Sequence, residues 1–125
     1  MDDNINFITG QVVDSAIAVH KELGPGLLES TYEACLAHEL VNRGLSVERQ
    51  KNMPVTYRGT KIDCGYRLDL LVNGHVIVEL KAVERFDRIH EAQLLSYLKL
   101  SDKKVGLLIN FNVKRLKDGM RRFVH

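Results

Sequence analysis

The stretch RLDLLVNGHVIVELK, residues 67–81, decides how this chain folds. Two apolar runs flank Asn73 and Gly74, a dipeptide that accepts the left-handed backbone of a tight hairpin turn. Leu68, Leu70, Val72, Val76, Val78 and Leu80 are apolar and even-numbered, while the odd positions hold Asp69, Leu71, Ile77, Glu79 and Lys81. Side chains alternate between the faces of a strand, so each strand has one apolar face and one that bears charge. A two-residue turn would pair Val72 with His75 and Asp69 with Val78, setting charge against an apolar face. A three-residue loop from Val72 to Gly74, with Gly74 left-handed in a bulge, pairs Leu71 with His75 and Asp69 with Ile77. Asp69, Glu79 and Lys81 then share a face. The sequence predicts this bulged loop or another register of the same parity.

Two carboxylates on neighbouring strands suit Mg2+, a hard cation that takes one or two carboxylates and keeps several waters. Such a cation polarises a phosphodiester and lowers the pKa of an attacking water. Lys81, two residues from Glu79, can orient that water or neutralise charge developing on the phosphorus oxygens. An isolated Glu-x-Lys on a strand more often forms a plain ion pair on a half-exposed sheet. The matching parity of Asp69 narrows the advantage of that reading without removing it.

Outward from the hairpin, the first half reads helical. Ile8, Val12, Ala16, Val19 and Leu23 recur at helical spacing, and the run stops at Gly24, Pro25 and Gly26. A second helix is expected from about Glu29 to Arg43, with Tyr32, Leu36 and Leu40 on one face and Gly44 beyond its end. Short strands are expected at Val47–Gln50 and Pro54–Arg58, the latter followed by a turn near Gly59, then at Tyr66–Val72 and His75–Lys81. A helix over Asp87–Leu100 and a strand buried on both faces over Lys104–Phe111 complete a mixed sheet flanked by helices.

At 125 residues, 45% hydrophobic and 27% charged, the chain is one globular domain. It has no apolar run of the roughly 20 residues that span a bilayer, and residues 1–20 lack a signal-peptide pattern. A cytoplasmic protein is expected, with Cys35 and Cys64 as reduced thiols. The five histidines lack zinc-site spacing. Net charge is only +2, but residues 1–102 carry −4 and residues 103–125 carry +6. Lys114, Arg115, Lys117, Arg121 and Arg122 in that basic end are candidates to track phosphates. A solvated helix or tail fits the same charges equally well.

Four separated motifs carry a family resemblance: GLLESTY at 26–32, RLD at 67–69 with VELK at 78–81, HEAQLLSY at 90–97, and GLLINF at 106–111. Over about residues 5–122 the sequence resembles the small prokaryotic GxxExxY proteins, of the PD-(D/E)XK nuclease superfamily. The resemblance implies a restriction-endonuclease-like α/β core, a central mixed sheet flanked by helices. It implies Asp69 and Glu79 as ligands of Mg2+ or Mn2+, Lys81 as the catalytic lysine, and Glu29 as a further acid brought to the metal. Gln93 and Tyr97 match a Gln-x-x-x-Tyr helix motif near the site, while Leu68 replaces the proline of the superfamily name. The expected function is hydrolysis of phosphodiester bonds in DNA or, less favoured, RNA, with a homodimer or partner chain supplying specificity. The competing reading is a catalytically inactive module of the same fold that binds nucleic acid or a protein. A third is a structural or regulatory protein with no nucleic-acid role.

Overall fold

The first helix, α1 (Asp3–Leu23), starts where the Asp2 carboxylate accepts the Asn4 amide at 2.7 Å and stops at Gly24, whose φ is +68°. A second helix, α2 (Glu29–Asn42), follows after the short connection. Tyr32 fixes that connection: its hydroxyl donates to the Gly24 carbonyl at 2.5 Å and accepts the Leu27 amide at 3.1 Å. Its ring stacks on Phe111 at 4.4 Å, so this tyrosine is a packing residue. The computed structural model describes residues 2–125.

The remaining elements are β1 (Val47–Asn52), β2 (Val55–Tyr57), β3 (Thr60–Ile62), β4 (Arg67–Val72), β5 (Val76–Lys81), α3 (Arg88–Ser101), β6 (Val105–Asn110) and β7 (Met120–Val124). A 3-10 turn over Leu116–Gly119 precedes the last strand. Five strands form one sheet in the order β1-β4-β5-β6-β7, antiparallel except for the β5–β6 pair. Helices α1 and α2 cover one face, packing on Leu70, Val78, Leu80 and Ile109. Helix α3 covers the other, with Leu94, Tyr97 and Leu98 against Leu71, Ile77 and Leu108. β6 is buried along its whole length, as its continuous apolar run requires. Gly106 lets α3 sit close, since a Cβ there would lie 2.8 Å from Leu94 Cδ1. The architecture is the mixed sheet flanked by helices that the sequence implied, and no helix among the described residues is long and apolar enough to cross a membrane.

The hairpin keeps the expected parity but shifts its register by two. Val72 pairs with Val76 and Leu70 with Val78, so the pairing Leu71–His75 is not formed. Asn73 and Gly74 both have positive φ, the His75 amide donates to the Val72 carbonyl at 3.0 Å, and His75 becomes the extra residue. Asn73 is also held from outside: its Oδ1 accepts the Ser46 amide at 2.8 Å. That bond ties the turn to the start of β1.

Two strands escaped the sequence reading. β3 follows the turn at Arg58 and Gly59 and pairs only with β2, a small hairpin outside the main sheet. Its three residues, Thr60, Lys61 and Ile62, are all exposed and have no apolar face to betray them. β7 lies in the basic end, for which the sequence left a phosphate-tracking segment and a solvated helix or tail equally open. It is an edge strand, where paired arginines are tolerated because one side faces water. Gly119 makes the return possible, because a Cβ there would collide with the Asn110 carbonyl oxygen.

Candidate metal centre

Strands β4 and β5 stop pairing just past Leu70 and Val78, and the next residues along are Asp69 and Glu79. Here side chains replace the ladder. The Asp69 amide donates to Glu79 Oε2 at 2.7 Å, and the Leu80 amide donates to Asp69 Oδ2 at 2.9 Å. Each carboxylate thus satisfies a main-chain donor that the parting strands would otherwise leave unpaired. On the other side, β1 and β4 pair from Val47–Val72 to Asn52–Arg67 but skip the step at Gln50 and Asp69. Gln50 has φ +49°, a left-handed conformation costly for a residue with a Cβ. Its Nε2 bridges Asp69 Oδ1 at 3.2 Å and Glu33 Oε1 at 2.5 Å.

Glu33 on α2 is therefore the helical acid that the structure brings to the pair. It is 7% exposed, held by Arg49 Nη2 at 3.1 Å and Nε at 3.2 Å, and its charge acts on both Asp69 and Glu79. Glu29, expected at the metal, lies one helical turn earlier and is exposed at the start of α2. Its carboxylate is not among the groups that perturb Asp69 or Glu79. The first turn of α2 projects it to solvent, while residue 33 lies over the parting strands. Glu33 stands four positions after Glu29 on the same helix, and nothing local in the sequence marks it as the acid that reaches the strands.

Electrostatics mark the pair. Glu79 is 4% exposed, and burial together with the neighbouring Asp69 charge pushes its carboxyl up to about 8. Burial also raises Asp69, opposed by the Leu80 amide and the Gln50 side chain. Lys81 is half-buried, and its charge favours the ionised form of both acids. Asn110 fixes the backbone beyond it: its side chain accepts the Val83 amide at 3.1 Å and donates to the Val83 carbonyl at 2.8 Å. Phe111 completes the clamp, its backbone N–H donating a hydrogen bond to the Lys81 carbonyl at 2.9 Å. The residue classes singled out from sequence did not include Gln50, Glu33 or Asn110, each of which acts through another side chain or the backbone.

Tyr97 and Gln93 arrive on α3. Burial raises the Tyr97 hydroxyl above its ordinary value, followed by the Glu79 charge, while a hydrogen bond with Gln93 opposes the shift. Tyr97 is thus within electrostatic reach of both acids, with Gln93 one helical turn before it on α3. His90 serves elsewhere, accepting the Asp87 amide at 3.1 Å in the capping box of α3.

The basic end divides. Glu79 pairs with Leu108 and Leu108 with Arg121, so Arg121 shares the row and face of Glu79, two strands away, or about 10 Å. It lies over Phe86 and reaches Glu91 at 4.0 Å. Arg122 points to the α1 side and donates to Asn6 at 3.1 Å. Lys114, Arg115 and Lys117 are exposed in the segment after β6. The structure does not gather these five cations into one patch.

A fit to Mg2+ or Mn2+ follows from the donor set. Glu79 is buried and Asp69 half-buried beside it, Lys81 is the cation whose charge acts on both, and among the described residues Glu79 Oε1 accepts no hydrogen bond. Among the described residues no group of three or more His, Cys, Asp or Glu is placed to hold a metal. A cation on this pair would complete its shell with water or substrate oxygens, as Mg2+ commonly does.

The family model of the PD-(D/E)XK nuclease superfamily matches residues 6–123. The chain belongs to that superfamily. Members commonly use divalent metals, and the superfamily points to nuclease-type chemistry. No match emerges among curated proteins or among solved structures.

Proposed function

We propose that this member of the PD-(D/E)XK nuclease superfamily is a Mg2+- or Mn2+-dependent nuclease that hydrolyses phosphodiester bonds, in DNA ahead of RNA. The observation that carries the reading is the acid pair Asp69 and Glu79, facing each other where β4 and β5 part, with Lys81 two residues on. Asp69 and Glu79 would hold the cation, which polarises the phosphodiester and acidifies the attacking water. Lys81 orients that water or balances charge on the phosphorus oxygens. Gln50 keeps Asp69 turned toward Glu79, and Glu33, pinned by Arg49, holds Gln50 in that pose. Glu33 takes the helical position for which sequence suggested Glu29. Gln93 and Tyr97 close the α3 side.

In the inactive-module reading the same fold binds nucleic acid or a protein without cutting it, and a second copy or a partner chain supplies specificity. Metal titration read by thermal shift and by cleavage of mixed DNA and RNA substrates decides between the two. A nuclease is stabilised by Mg2+ or Mn2+, cleaves only when loaded, and loses both responses in Glu79→Gln. Salt-sensitive nucleic-acid binding with neither response favours the inactive module.

A further inference from the structure

Beside the acid pair lies a second feature that the chemistry above does not use. The β2–β3 hairpin stands off the sheet over α3, and between them opens a hollow of about 460 Å³ walled by Val55, Tyr66, Gln93, Ser96, Tyr97 and Leu100. Tyr66 is 44% exposed, and its ring meets that of Tyr97 edge-on at 6.0 Å. Tyr97 packs with Leu71 and Ile77 on the sheet face that also carries Asp69 and Glu79, so the hollow adjoins the proposed scissile position. Its walls are apolar and aromatic, and Gln93 and Ser96 add amide and hydroxyl groups able to read a polar edge.

The flank is basic. Residues 51–67 carry Lys51, Arg58, Lys61 and Arg67 against Asp63 alone. Lys51 is neutralised by Glu48 at 2.7 Å, whereas Arg58 lies over the Tyr57 ring at the hairpin tip and Lys61 is exposed on β3. A strand whose phosphates follow this hairpin brings a base to the hollow. Bases stacked in a duplex cannot enter such a pocket, because their faces are already covered. Aromatic walls beside a cationic track are the combination that holds single strands, whose bases present free faces.

We infer that the substrate is single-stranded nucleic acid, or an unpaired end or flap, with one unstacked base lodged against Tyr66 in the hollow beside the acid pair. The inference deepens the nuclease reading and rests on it for the position of the reacting phosphate. Base–aromatic stacking contributes about 1–3 kcal/mol for each base, so loss of the Tyr66 ring should weaken binding roughly 5- to 150-fold.

The experiment measures binding without turnover. A fluorescein-labelled oligothymidylate of about 12 nucleotides, within the size range of single-strand sites, is titrated in chelator, alongside its duplex with oligoadenylate. The wild type should bind the single strand more tightly than the duplex. Tyr66→Ala should weaken the single strand alone, and Tyr66→Phe should restore it. The chain has no tryptophan, so Tyr66→Trp introduces a single indole whose fluorescence the single strand should quench. Melting curves confirm that the variants are folded, as the exposure of Tyr66 leads one to expect. Equal or tighter duplex binding, or a Tyr66→Ala variant with unchanged affinity, overturns the inference. Stacking without any metal-dependent cleavage removes the nuclease reading and leaves the base site standing; cleavage of duplex with no dependence on Tyr66 does the reverse.

Discussion

Replacing Glu79 by glutamine should make the metal-free protein more stable above neutral pH while it destroys the site. Burial and the Asp69 charge lift the Glu79 carboxyl from an ordinary 4.5 to about 8. Between those values the folded protein retains a proton that the unfolded chain releases. The contribution of this group is therefore full below about pH 4.5 and is lost as pH rises through about 8. At about 1.4 kcal/mol for each tenfold change, the loss is at most about 5 kcal/mol. Glutamine keeps an oxygen to accept the Asp69 amide, but its own NH2 needs a partner, which costs about 1–3 kcal/mol if none forms. The net gain for Glu79→Gln at pH 8 is then about 2–4 kcal/mol. Urea unfolding followed by circular dichroism from pH 5 to 9, in chelator, measures it. The wild type should lose stability across that range and the variant should lose much less. A variant less stable than wild type at pH 8, or a wild-type profile flat between pH 5 and 8, would refute the assignment of Glu79 as a buried charge awaiting a cation. Metal at a thousandfold excess over Kd should reverse the order, adding about 4.1 kcal/mol to the wild type and nothing to the variant.

Other substitutions separate stability from function. Gln50→Gly relieves a left-handed residue, gaining about 1 kcal/mol, yet frees Asp69; metal affinity by calorimetry should fall about 10- to 100-fold. Ser15 is fully buried and its Oγ has no hydrogen-bond partner among the described residues, so Ser15→Ala should stabilise by about 1 kcal/mol in chemical denaturation and leave cleavage unchanged. Gly119→Ala drives a methyl into the Asn110 carbonyl oxygen and should cost about 3 kcal/mol, read from the same unfolding curves.

How much of this was legible in the sequence follows from where information is local. The α1 stop at Gly24, the buried β6 run and the parity of the hairpin all depend on residues within one element, and each reads directly. The exact register did not: whether His75 opposes Leu71 or joins the loop so that Val76 opposes Val72 is set partly by the Ser46 amide holding Asn73, a contact across 27 residues. The acid pair with its lysine was visible because it sits on one hairpin. Glu33 and Gln50 were not, since only the packing of α2 and the break in β1 bring them to Asp69. β7 was hidden because an edge strand bearing Arg121 and Arg122 has the composition of a tail. Its arginines point to opposite faces, which a charge count along the chain cannot reveal.

Asp69, Glu79 and Lys81 are the groups to which we assign metal-dependent phosphodiester cleavage. Single-turnover cleavage of labelled DNA and RNA strands with Mg2+ or Mn2+, by wild type, Asp69→Asn and Lys81→Ala, tests that assignment most directly. Cleavage that requires the metal and is abolished in both variants is expected; metal-dependent cleavage at wild-type rate in either variant would place the chemistry elsewhere.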